Sequence, residues 1–200
     1  MKFTSLTGAA LALLAAGSAQ ALTVSHIETE GQSASAQVTS DSLGGSLLSA
    51  DIGFARGATV RFDLTLDAAD EGQAFGFNAV ISALQGFELQ NLEVRLSGGA
   101  EFAWVGSLTP AFASVAAQSG DAVAQRYQLS PAESFGVDVG NPFAHAGQSD
   151  WQIGSLGLKA GDTVTLSISS AVPEPSSWAL LSLGGAALMG LARRRAKTAR

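Results

Sequence analysis

Asp67, Asp70 and Glu71 are the densest group of hard-oxygen side chains in the chain, and they follow an alternating stretch where a turn is expected. Carboxylates gathered on a loop can hold Ca²⁺, but this spacing matches neither an EF-hand nor a repeat-type calcium loop, and a solvated turn is the plainer reading. Asp138, with Asn141 nearby, is a second and sparser place of the same kind. His26 and His145 are the only histidines, far apart and outside metal-ligand spacing, and they read as surface or turn residues. No Gly-x-Ser-x-Gly elbow or phosphate loop occurs. With no cysteine anywhere, thiol catalysis, thiolate metal sites and disulfides all drop out.

Two further chemistries stay open at this level. Paired carboxylates could serve glycoside hydrolysis, but sequence does not bring two acids to the required separation. Trp104, Trp151 and Tyr127 could form a platform on which sugar rings stack, or they could fill the core of the strands that carry them. No catalytic constellation and no cofactor is implied, so the body reads as a binding or structural module rather than an enzyme.

Positioning these residues falls to residues 22–171, about one domain's worth of chain. This body holds sixteen acids and five bases, a net charge of −11, whereas residues 172–200 carry +4. An acidic body is repelled by phosphate backbones, which argues against nucleic acid as a partner.

Its dominant period is two. Val60, Phe62, Leu64 and Leu66 alternate with Thr59, Arg61, Asp63 and Thr65; Leu92, Val94 and Leu96 alternate with Asn91, Glu93 and Arg95; Val164, Leu166 and Ile168 alternate with Thr163, Thr165 and Ser167. Each set predicts a strand with one buried and one wet face. Phe75, Phe77, Ala79 and Ile81, then Glu101–Val105, then Val123, Tyr127 and Leu129, and Trp151–Leu158, continue the pattern. Glycine-bearing punctuation separates these runs, and the clearest hairpin is expected between Leu158 and Thr163 across Lys159–Asp162. Pro110–Gln118, rich in alanine, allows a short helical turn. The pattern predicts an all-β body, an antiparallel β-sandwich of jelly-roll or immunoglobulin-like type. Its expected core contains Phe62, Leu64, Phe75, Phe77, Ile81, Leu92, Val94, Phe102, Trp104, Tyr127, Trp151, Val164, Leu166 and Ile168.

Both ends of the chain speak of export. Residues 1–21 combine Lys2, an apolar stretch and Ala19-Gln20-Ala21, the layout of a secretory signal peptide cut by signal peptidase after Ala21. At the other end stands Val172-Pro173-Glu174-Pro175, an extended, solvated junction, since proline fixes φ and lacks a donor. The apolar run Trp178–Ala192 follows, about 23 Å long as a helix against a hydrocarbon core of about 30 Å, a short single transmembrane helix. Arg193, Arg194, Arg195 and Lys197 then favour the cytoplasmic side and leave the acidic body across the membrane.

This tripartite tail resembles the PEP-CTERM sorting signal of Gram-negative bacteria: Pro173-Glu174-Pro175, an apolar helix and Arg193-Arg194-Arg195 in order. The resemblance covers residues 172–200 and leaves the body unassigned. It implies an exosortase as processing partner and a transient inner-membrane anchor with a periplasmic body. Delivery to the cell surface or the extracellular matrix would follow, in bacteria that make exopolysaccharide and biofilm. The expected function is thus an exported envelope or matrix protein whose body associates with exopolysaccharide. A secreted carbohydrate-active enzyme and a calcium-dependent adhesin are the alternatives.

Overall fold

Period-two patterning becomes strands throughout the computed structural model, which describes residues 22–30, 36–44 and 46–171. In chain order these are β1 (Leu22–Glu30), β2 (Ala36–Gly44), β3 (Leu47–Phe54), β4 (Ala58–Leu66), β5 (Ala74–Ala83), β6 (Leu89–Ser97) and β7 (Glu101–Trp104). They continue with β8 (Leu108–Pro110), β9 (Ser114–Gly120), β10 (Ala124–Glu133), β11 (Gly136–Val139), β12 (Trp151–Gly154) and β13 (Thr163–Ala171). The signal-peptide positions Ala19 and Ala21 lie outside the described residues. So do the sorting residues Pro173, Glu174 and Pro175 and the basic cluster Arg193, Arg194, Arg195 and Lys197.

One sheet has the order β1-β4-β13-β6-β10-β9 with antiparallel neighbours throughout. The other runs β2-β3-β5, and beyond β5 it carries two short strands in series, β11 against residues 79–82 and β12 against residues 74–77. Strands β8 and β7 complete that side, next to β11 and β12 respectively. The antiparallel expectation holds with one exception, the parallel pair β3–β5. Between these two the chain passes through β4 of the opposite sheet, and so it returns to the second sheet running in its original direction.

Burial follows the alternation. In β4, Val60, Phe62, Leu64 and Leu66 are buried while their neighbours are only partly covered, and Leu92, Val94, Leu96, Val164, Leu166 and Ile168 repeat this on β6 and β13. Together with Phe75, Phe77, Ile81, Trp151 and Ile153 of the second sheet they form one continuous apolar core. Each such side chain withdrawn from water contributes about 1.5–3 kcal/mol. Tyr127 of the first sheet and Trp151 of the second meet across the gap, ring centroids 6.0 Å apart.

Three expectations are corrected. Leu158 and Thr163 do not flank a hairpin: β12 ends at Gly154 in the second sheet, and β13 lies between β4 and β6 in the first. The turn itself forms, with the Asp162 amide donating to the Lys159 carbonyl at 3.0 Å, but it guides the chain from one sheet to the other. Leu166 and Ile168 find apolar neighbours on both sides there, and Val164 finds Leu64 on β4, which a two-stranded hairpin with the short β12 would not supply. Within Pro110–Gln118 the alanine-rich stretch is extended, because residues 114–120 pair along β10 and nothing caps a helix. Trp104, expected inside, is 60 % exposed.

Candidate functional site

Trp104 faces outward because β7 carries one residue too many for its partner. Phe102 pairs with Ile153, yet Trp104 pairs with Gln152, so Ala103 is a bulge in the ladder. A one-residue slip moves every later side chain to the opposite face. Phe102 therefore packs edge-on against the buried Trp151, ring centroids 5.2 Å apart, while Trp104 emerges on the outer face of the second sheet. Tyr127 and Trp151 stay in the core, so the three aromatic candidates do not form one platform.

Beside Trp104 rises the loop of residues 140–150. β11 and β12 pair in series with β5, and the chain between them leaves the sheet after Val139, opposite Ala79, and re-enters at Trp151, opposite Phe77. The loop is fastened at its root. The Gly140 amide donates to the Ser107 carbonyl at 2.8 Å, the Ser107 amide to the Ser149 carbonyl at 2.9 Å, and the Ser149 amide to Ser107 Oγ at 3.0 Å. Trp151, with its ring in the core, reaches the same root by donating Nε1–H to the Ser107 carbonyl at 2.9 Å. At Gly106 a Cβ would overlap the Ser149 carbonyl, so this close approach requires glycine.

Asp150 and Asn141 hold the loop from within. Asp150 Oδ1 accepts from Asn78 Nδ2 at 3.0 Å and from the Asn141 amide at 2.8 Å. Asn141 Oδ1 accepts from the His145 amide at 2.7 Å, and its Nδ2 donates to the carbonyls of His145 and Gln148. Gln148 Nε2 bonds Thr109 Oγ1 at 3.1 Å. Asn78 Oδ1 and Gln148 Oε1 are buried acceptors without a donor among the described residues. Trp104 closes the arrangement with a long hydrogen bond from Nε1 to Ser149 Oγ, 3.4 Å. The loop's crest exposes Phe143, whose ring stands edge-on to the His145 imidazole at 6.0 Å. Asp138, on the same outer face in register with Thr109 and Val80, has its pKa raised by burial, which the nearby His145 partly offsets.

This is a rigid, mostly neutral surface: an exposed indole with Gln152 beside it in register, a stapled loop, and a half-buried carboxylate. It suits stacking and hydrogen bonding to a hydroxyl-bearing ligand. Sequence singled out Trp104, Asp138, Asn141 and His145, but not their common location. Asn78, Ser107, Gln148 and Asp150 were missed, since nothing in the spacing shows that β5 and residues 106–109 meet the loop.

The acidic group at Asp67, Asp70 and Glu71 lies elsewhere and is used internally. Asp67 and Asp70 form a capping box around a single 3-10 turn, Ala68–Asp70: Asp67 Oδ1 accepts from the Ala68 amide and Asp70 Oδ2 from the Asp67 amide, each at 2.8 Å. Glu71 accepts from the Ala160 amide at 3.0 Å and stands 3.8 Å from Lys159 Nζ. Among the described residues no group of three or more His, Cys, Asp or Glu side chains gathers to hold a metal. His26 sits on β1 opposite Asp63, and its side chain lies outside the described residues.

Comparison with curated proteins and with solved structures found no match. A family model for the PEP-CTERM protein-sorting motif matches residues 171–196. That motif marks proteins that are exported and anchored in the membrane before an exosortase processes them. The chain carries a PEP-CTERM sorting signal at its C-terminus, attached directly to β13 of the sandwich.

Proposed function

We propose that this exported exosortase substrate is a cell-envelope or matrix protein whose body binds an extracellular polysaccharide through the outer face of its second sheet, without cleaving it. The carrying observation is the bulge at Ala103, which sets a large indole in solvent on the outer sheet face beside Gln152. Exposing that ring forfeits apolar burial, and a stacking ligand recovers it. The body's net charge of −11 favours a neutral polymer over an acidic one. Processing of the tail frees the body to reach the cell surface or the matrix, where such a polymer resides.

Incubation of the exported protein with the exopolysaccharide of its producing cells tests this. Co-sedimentation that is lost in Trp104→Ala, with no new reducing ends, is the expected result. New reducing ends that vanish on replacing a single acid would replace this reading with that of a carbohydrate-active enzyme.

A further inference from the structure

Strand β9 is an edge strand that stands clear of the core. It pairs with β10 on one edge, has no neighbour on the other among the described residues, and every residue from Ser114 to Gly120 is exposed, so the sandwich covers neither of its faces. An edge strand offers a row of free backbone donors and acceptors, which proteins usually blunt with charge, proline or shortness. The other edges here are blunted: β1 carries Glu28 and Glu30, β2 carries Asp41, β7 begins at Glu101, and β8 is three residues ending in Pro110. Strand β9 has neither charge nor proline. No charged residue at all lies between Glu101 and Asp121.

Beside the start of β9 stands an apolar projection held in place by a buried carboxylate. Phe112 and Phe135 are 78 % and 68 % exposed and meet edge-on, ring centroids 5.9 Å apart. Beneath them Glu133 is fully buried; its Oε2 accepts from the amides of Phe112 at 2.7 Å and Ala113 at 2.8 Å, and its Oε1 from the Phe135 amide at 2.9 Å. One carboxylate thus locks both backbone segments that push a phenylalanine into solvent. Val115, also exposed, extends the patch onto β9.

We infer that this edge is where two copies of the chain associate, β9 pairing antiparallel with β9 of the second copy about a two-fold axis. Charge selects that occupant. Two bodies of −11 each repel over most of their surface, and the run from Phe102 to Gly120 is where they can approach without opposing like charges. A basic partner would gain nothing from a charge-free edge. Pairing satisfies the open backbone groups and joins the first sheets of the two copies into one continuous sheet.

The cysteine-free chain allows a direct test. Single cysteines are placed in turn at Ser114, Val115, Ala116, Ala117, Gln118 and Ser119 of the full-length chain in cells, with Ala69→Cys, exposed at the distant 3-10 turn, as reference. Mild oxidation and non-reducing gels should give disulfide-linked homodimers several-fold above the reference, with a single peak at the residue nearest the two-fold axis and a fall on either side, because identical positions move apart by about two residue rises per step. Adding Ala117→Lys to the best-linking variant should reduce the dimer to the reference level. In parallel, the cysteine-free full chain in detergent should sediment as a dimer and its Ala117→Lys form as a monomer. A flat profile at the reference level, a monomeric parent chain, or conjugates with a different protein in place of homodimers would overturn the inference.

Discussion

Phe102 and Trp104 stand two residues apart on one strand and face opposite sides of the sheet. Phe102 packs on Trp151 in the core, and Trp104 reaches Ser149 on the outside. In a regular strand both would share a face. The inserted Ala103 converts what reads as a second core residue into the centre of the candidate binding surface.

The two tryptophans of the body should therefore differ sharply in their effect on stability. Trp151→Ala removes a fully buried ring that contacts Phe102 and Tyr127 and should cost about 3–5 kcal/mol. Trp104→Ala should stay within about 0.5 kcal/mol of the parent. Denaturant unfolding of both variants checks this, and a large loss for Trp104→Ala would place its ring in the core after all.

How legible the fold was depends on the regularity of each strand. Val60 to Leu66, Leu92 to Leu96 and Val164 to Ile168 alternate without interruption, and their burial follows the reading residue by residue. The reading failed where the backbone breaks step or changes partner. The bulge at Ala103 leaves no mark in the residue types, and the transfer from β12 to β13 between sheets depends on which strands lie beside them, a long-range choice. The candidate site was legible only in parts, since Asn78 and Asp150 meet across β5 and the loop from distant places in the chain.

Acid should weaken the body through Glu133. Burial alone would raise its pKa, but the amides of Phe112, Ala113, Phe135 and Gly136 outweigh that and hold it below the ordinary glutamate value. A folded pKa below the unfolded one stabilises fully above about pH 4.3, and that stability is lost as pH falls through the depressed folded value. Glu133→Gln, which keeps the shape and loses the charge, should cost about 2 kcal/mol at neutral pH and flatten the acid limb. Unfolding midpoints of both proteins from pH 7 down to pH 3 provide the check.

Tyr127, the chain's only tyrosine, is a built-in probe of the core. Burial pushes its pKa up to about 12 from 10, and its hydroxyl accepts from Gln118 Nε2 of β9 at 3.2 Å. Ultraviolet titration of the native protein should show phenolate absorbance rising near pH 12, and a midpoint near 10 would mean that the ring is open to water. Since the folded pKa is raised, this group favours the fold below about pH 10 and loses that contribution as pH climbs through 12.

The sorting tail makes its own prediction. Replacing Arg193, Arg194 and Arg195 by glutamine should weaken membrane retention of the precursor, because the positive flank that fixes its orientation is gone. The mature exported protein should lack Trp178 onward, as read by intact mass. A full-length tail on the extracellular form would contradict exosortase processing.

Tryptophan emission from the exported protein during titration with its producer's exopolysaccharide tests the central claim most directly, because Trp104 is the exposed indole of the body and Trp151 is wholly buried. A saturable blue shift is expected as the polymer covers Trp104, abolished in Trp104→Ala together with most of the affinity. Polymer binding of equal strength in the parent protein and in Trp104→Ala, with emission unchanged throughout, would contradict it.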